Sequence, residues 1–115
     1  MRKYVLFAFN GEMMCFVHVL LNALRMHEQG WEAKIVIEGA ATRLIPELVK
    51  ADNPLASLYV KAKNLGLVEG ACKACSQKMG TLTEAEAQGL RLLDDMSGHP
   101  GMAGYISQGF TVLTF

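Results

Sequence analysis

The sequence predicts an α/β fold: a single domain, residues 1–115, with a parallel sheet of about five strands and helices on both faces. Three observations carry that expectation. Short apolar runs of strand length alternate with segments whose apolar residues recur at helical spacing. The first run, Tyr4–Phe9 (YVLFAF), is continuously apolar rather than alternating, as expected of a strand buried on both faces of a parallel sheet. The connections are short and carry turn residues, with no internal repeat and no low-complexity linker.

Each element follows from local chemistry. Asn10-Gly11 ends the first strand. From Met13 the period changes: Cys15, Val19, Leu20, Ala23 and Leu24 lie at helical spacing, Val17 and Leu21 widen the apolar face, and Gly30 supplies a stop. Ala33–Ile37 (AKIVI) is the second strand. A helix is expected from about Thr42, weakened by Pro46 unless that residue lies in its first turn. Asp52-Asn53-Pro54 marks another start, and an amphipathic helix then runs to Asn64-Leu65-Gly66. Leu67–Ala71 is the third strand and leads directly into Cys72. Thr83 and Glu86 have the spacing of a capping box. The helix they open runs either to Asp95 or only to Gly89, with LRLLDD then forming a short fourth strand. Ser97–Gly101 reads as a loop, Pro100 opens a last helix that Gly109 stops, and FTVLTF closes the sheet.

At 115 residues the chain can bury a core without staples, and 51% hydrophobic residues suit a globular protein. Eleven basic residues balance eleven acidic ones, with no basic-aromatic interleaving, so nucleic acid is not an expected partner. No stretch of 18 uncharged apolar residues occurs, so no membrane span is expected. The apolar N-terminus is broken by Asn10-Gly11-Glu12 and is not followed by a small-residue cleavage site. Three cysteines, an odd number, argue against a secreted disulfide framework, and a cytoplasmic location is expected.

Two of the three cysteines form the one C-x-x-C, Cys72 and Cys75, at the junction of the third strand with the following helix. In a parallel sheet ligands bind at the carboxyl ends of the strands. Those ends carry Asn10-Gly11-Glu12, Glu38-Gly39, Cys72–Cys75 and Ser97-Gly98-His99. Cys72 at a helix start, beside Lys73, is expected to have a lowered pKa and to be the most reactive thiol. Cys75 lies on the same helix face and can close a disulfide with it. Cys15, within an apolar helix, reads as core filling, as do the seven methionines. His18 and His27 read as helix-surface residues, while His99 is a candidate hydrogen-bond partner of the site. A thioredoxin-like site is disfavoured because none of Pro46, Pro54 and Pro100 stands before a strand. Zinc needs about four ligands. His99 and one further residue could complete such a site, but the spacing does not ask for it, and neither metal nor cofactor is expected.

Taken together, the opening strand and long helix, the strand leading into ACKACSQKMG and the closing GFTVLTF resemble the DsrE/DsrF-like (YchN-like) small sulfur-relay proteins over nearly the whole chain. In that family a reactive cysteine stands eight residues before a glycine, the spacing of Cys72 and Gly80, and some members carry a second cysteine where Cys75 lies. Many members have arginine where this chain has Met79. The resemblance implies a DsrE-like α/β domain spanning 1–115 and a homo-oligomer, a trimer or hexamer. It also implies sulfane sulfur carried as a cysteine persulfide on Cys72, with protein or small-persulfide donors and acceptors. The protein would then be a sulfurtransferase or persulfide carrier, with Cys75, by its spacing, the resolving thiol; the strand-end reading adds Asn10, Gly11, Glu12, Glu38, Gly39, Lys73 and His99 as candidate site-lining residues. The contrasting expectation is a non-catalytic oligomeric module that binds a small ligand or a metal.

Overall fold

The computed structural model describes residues 1–115. Strands β1 (Lys3–Ala8), β2 (Glu32–Ile37), β3 (Val68–Cys72), β4 (Leu92–Leu93) and β5 (Thr111–Thr114) form one parallel sheet in the order β4-β3-β2-β1-β5. The α-helices are α1 (Met13–Glu28), α2 (Ala56–Asn64), α3 (Lys73–Lys78), α4 (Leu82–Ala87) and α5 (Ala103–Ser107). No helix is long and apolar enough to cross a membrane.

The strand order sorts the helices between the two faces. From β1 to β4 the chain steps across the sheet in one direction, so right-handed crossovers keep their helices on one side. The return from β4 to β5 passes back over three strands and places α5 on the other side. The core is correspondingly unequal. Leu6, Ala8, Ile35, Ile37 and Ala71 point into a cluster of 20 buried residues with Phe16, Val19, Leu20, Tyr59 and Ala85 from α1, α2 and α4. Val5, Phe7 and Val36, which alternate with them, join Phe110 in a cluster of four, against which Met102 and Tyr105 pack.

Several elements differ from expectation. The α1 stripe turned to the core is Phe16, Val19, Leu20, Ala23 and Leu24, while Leu21 is exposed and Cys15 and Val17 are half-buried, because only one side of α1 meets the sheet. The segment after β2 forms two 3₁₀ turns, Gly39–Leu44 and Glu47–Val49, in place of an α-helix. Pro46 lies between them and has no N–H to continue an α-helical ladder. No capping box forms at Thr83. The N-cap of α4 is Thr81, whose hydroxyl instead donates to the Thr42 carbonyl at 2.9 Å. Gly89 ends α4 at φ +73, so LRLLDD supplies an edge strand rather than more helix.

Tyr59 is fully buried and its hydroxyl donates to Gln88 Oε1 at 2.7 Å. Burial raises its pKa above the ordinary phenol value. The folded state therefore keeps this proton after the unfolded chain has lost it at about pH 10, and stability falls as pH rises beyond that value. The fall approaches about 1.4 kcal/mol per pH unit for this group, until the folded pKa is reached. Tyr59→Phe is expected to cost about 1–2 kcal/mol at neutral pH, by leaving the Gln88 oxygen without its donor, and to flatten the alkaline slope. Denaturant unfolding of both proteins at pH 8 and pH 11 checks this.

Candidate functional site

The connections diverge at one point on the carboxyl edge of the sheet. The chain leaving β3 turns to the face that carries α1, α2 and α4, whereas the chain leaving β4 turns to the face that carries α5. A crevice between neighbouring strands whose exits part in this way is where open α/β sheets bind ligands. Cys72 ends β3 on one side of it, and the turn carrying His99 follows β4 on the other.

Tight backbone geometry holds that turn. Met96 and His99 exchange both backbone hydrogen bonds, His99 C=O accepting at 2.7 Å and Met96 C=O at 3.0 Å. Both central residues have positive φ, Ser97 at 51° and Gly98 at 90°, as in primed hairpin turns. The Gly98 carbonyl accepts from the Ala74 N–H at 2.9 Å, which ties the turn to the first turn of α3. A Cβ at Gly98 would come within 3.2 Å of the Ala74 methyl, so a glycine suits both the dihedral angle and the approach.

Four side chains from four segments converge here: Glu38 after β2, Cys72 at the end of β3, Cys75 on α3 and His99 in the turn. Their donor atoms all lie within 4.8 Å of one another. His99 Nδ1 is 3.1 Å from Cys72 Sγ, 3.5 Å from Cys75 Sγ and 3.6 Å from Glu38 Oε1. The Cys75 thiol donates to Glu38 Oε1 at 3.4 Å, and the Cys75 backbone N–H donates to Cys72 Sγ at 3.3 Å. Cys72 and Glu38 are buried, whereas Cys75 and His99 are half-buried. A cavity of about 470 Å³, lined by Phe9, Met96, Pro100, Met102 and Ala103, opens beside Glu38 and His99.

The environment of Cys72 corrects the expectation of an acidic thiol. Cys72 is both the last residue of β3 and the N-cap of α3, with its sulfur accepting from the Cys75 N–H as a helix start requires, but it is also buried. Burial pushes the Cys72 thiol well above the ordinary range. The Cys75 N–H opposes that rise, while the Cys75 thiol and the Glu38 carboxylate add to it. Desolvation outweighs the one backbone donor. Cys75 is the more accessible sulfur.

Of the other expected site residues, Lys73 turns away and pairs with Asp94 at 3.8 Å. Gly39 has φ +54 and packs against Phe9, where it turns the chain beneath Glu38. Asn10, Gly11 and Glu12 form the turn after β1. Asn10 Oδ1 accepts from the Glu12 N–H at 2.8 Å, and Arg43 lies against Gly11, so none of the three joins the four-residue cluster. Cys15, on α1, is outside it as well. The residues that sequence reasoning missed are those of the cavity wall. Phe9 reads as strand, and Met96 and Met102 read as core filling, because only the fold brings them to one opening.

No protein-family model matches the chain, and no solved structure matches it. Among curated proteins, it is 31% identical over 101 residues to the uncharacterized protein MJ0733 of Methanocaldococcus jannaschii, covering 88% of this chain and 80% of that protein. An uncharacterized protein of Archaeoglobus fulgidus is 40% identical over 60 residues, 52% of this chain and 95% of its own length. A second from the same organism is 46% identical over 37 residues, 32% of this chain and its whole length.

Proposed function

This chain belongs to the family of the Methanocaldococcus jannaschii protein MJ0733, and we propose that it carries sulfane sulfur as a persulfide on the Cys72/Cys75 pair. The observation that carries the reading is the pairing of an accessible thiol with a buried one around a single imidazole nitrogen, at 3.5 and 3.1 Å. A donor reaches Cys75 first. The Cys75 thiolate attacks the outer sulfur of a donor persulfide, a new S–S bond forms to Cys75, and the donor thiolate leaves with the electron pair of the broken bond. Cys72 then gives its proton to His99 Nδ1 and attacks the same outer sulfur, which moves to Cys72 as Cys75 leaves as thiolate. The first step moves one sulfane sulfur atom from donor to Cys75 and the second moves it within the pair, so the oxidising equivalent comes with the donor's sulfur and no external oxidant or reductant is needed. Sulfur on Cys72 is shielded from water by the burial of that residue, and an acceptor thiolate retrieves it by the reverse path.

The resemblance to DsrE/DsrF-like proteins supports the same reading and extends it to a homo-oligomer, trimeric or hexameric. Exposed apolar residues such as Met14, Leu21 and Ile106 would suit such association. We place the protein in the cytoplasm, where three free cysteines stay reduced. The test is mass spectrometry of the chelator-treated protein after incubation with a persulfide donor. The expected result is a gain of one sulfur atom on the peptide that holds Cys72 and Cys75. Absence of that gain on this peptide defeats the proposal.

A further inference from the structure

We propose that Glu38, Cys72, Cys75 and His99 form a tetrahedral site for a divalent transition metal of the zinc class. This inference does not depend on persulfide chemistry. Zinc binds thiolate sulfur at about 2.3 Å, imidazole nitrogen at about 2.0–2.1 Å and carboxylate oxygen at about 2.0–2.2 Å, so the edges of a tetrahedron of such ligands are roughly 3.3–3.8 Å long. The separations here are 3.1 Å for Cys72–His99, 3.4 Å for Cys75–Glu38, 3.5 Å for Cys75–His99 and 3.6 Å for His99–Glu38. Four of the six edges thus stand at nearly the spacing a shared ion requires, and all six lie within 4.8 Å, so modest side-chain adjustment closes the set.

Three further features favour a cation at their centre. First, the imidazole does not bridge its neighbours as in a hydrolase triad, where the two ring nitrogens face different partners. Here Nδ1 alone faces both sulfurs and the carboxylate. Second, Glu38 is 6% exposed, yet no lysine or arginine pairs with it, and its carboxylate meets only the two thiols and an imidazole. A buried carboxylate is costly without a compensating charge, and a bound dication supplies one. Third, the ligands come from four segments that the fold has already fixed. The His99 turn is closed by two backbone hydrogen bonds and tied to α3 by a third, so little ordering remains for the metal to impose.

The donor set selects the metal. Two sulfurs and one imidazole exclude magnesium and calcium, which take oxygen ligands, and a tetrahedral S₂NO set suits zinc. Four protein ligands leave no open position, so the ion closes the site and is not a catalyst there. It uses the sulfur lone pairs with which either thiolate would attack a donor persulfide, so a bound metal competes with sulfur loading.

The test is titration of reduced, metal-free protein with Co²⁺ and Zn²⁺ in the absence of any sulfur donor. One Co²⁺ per chain is expected to give a thiolate-to-cobalt charge-transfer band and the visible absorption of a tetrahedral ion, and one Zn²⁺ to abolish both. Zn²⁺ is expected to raise the thermal midpoint, reversibly with chelator. Cys72→Ser and His99→Ala are expected to lose this behaviour. Glu38→Gln is expected to weaken Zn²⁺ binding at least about tenfold, the loss seen already when outer-shell partners are removed. Cys15→Ser is the control and retains full binding. Far-UV circular dichroism of the metal-free variants establishes that each is folded. Absence of the charge-transfer band in the parent protein overturns the proposal. So does a band that persists in Cys72→Ser, or unchanged Zn²⁺ affinity in Glu38→Gln. Persulfide loading is measured separately, in chelator, so either property can fail while the other stands.

Discussion

Cys75→Ser is expected to reduce sulfur loading from a bulky protein persulfide to background, whereas Cys72→Ser still takes up one sulfur atom and loses it quickly to added thiol. The reason is the unequal burial of the pair. Cys72 is fully buried beneath the turn that carries His99, and a macromolecular donor does not reach it, while Cys75 is half-exposed at the rim. Serine does not ionise near neutral pH, so each variant removes one nucleophile with little change in volume. Without Cys75 the arriving sulfur has no accessible thiolate to attack it. Without Cys72 the sulfur stays on the rim, exposed to competing thiols. Cys15→Ser leaves loading unchanged, because Cys15 lies outside the cluster. The comparison is made in chelator with one protein donor and one small donor, by mass spectrometry over time. Normal loading of Cys75→Ser by the protein donor, with none of Cys72→Ser, would show the opposite order of transfer.

Gly70→Ala is expected to destabilise the protein by about 3 kcal/mol, near the upper end for overpacking, and to lower the thermal midpoint on the order of 10 °C. A Cβ at position 70 would lie 2.4 Å from the Arg91 carbonyl oxygen. That oxygen is backbone and accepts the Ala71 N–H at 2.9 Å, so it cannot move aside without breaking the pairing of β3 with β4. The register between β2 and β3 also shifts just before Gly70, between Ile35 and Val36, which leaves β3 without a regular ladder to absorb the strain. Because Cys72 pairs with Leu93 two residues on, the same displacement moves Cys72 relative to His99. Loss of stability by calorimetry is expected together with loss of Co²⁺ binding. A variant as stable as the parent would mean that the edge strand contributes little to the fold.

Much of the architecture is legible in the chain because it depends on short-range chemistry. The continuous apolar run YVLFAF becomes a central strand, Gly30 and Gly109 end α1 and α5 at positive φ, and the strand that leads into the cysteines is found at the expected length but one residue further along, so that it includes Cys72. Cys72 caps α3 as expected, but the strand end that it also forms is buried, and desolvation reverses the expected direction of its pKa shift. The 3₁₀ turns after β2 were hidden for a related reason. Ala41, Thr42, Leu44 and Ile45 are apolar or small enough for an α-helix, and packing against the core, with Pro46 denying the next N–H, selects the tighter turn.

The sequence by itself determined the α/β class, the parallel character of the sheet and the pairing of Cys72 with Cys75, since each is written in the spacing of neighbouring residues. It also placed Glu38 and His99 at the correct edge of the sheet, because residues just past a parallel strand always reach that edge. Only the tertiary structure decided that these two, and not Asn10, Glu12 or Lys73, meet the thiols. That choice depends on the strand order β4-β3-β2-β1-β5, on the return of the chain to the opposite face after β4, and on a turn whose positive φ values aim one imidazole nitrogen at three partners. Residues 38, 72, 75 and 99 come together through long-range packing, and no local pattern in the chain encodes their separations.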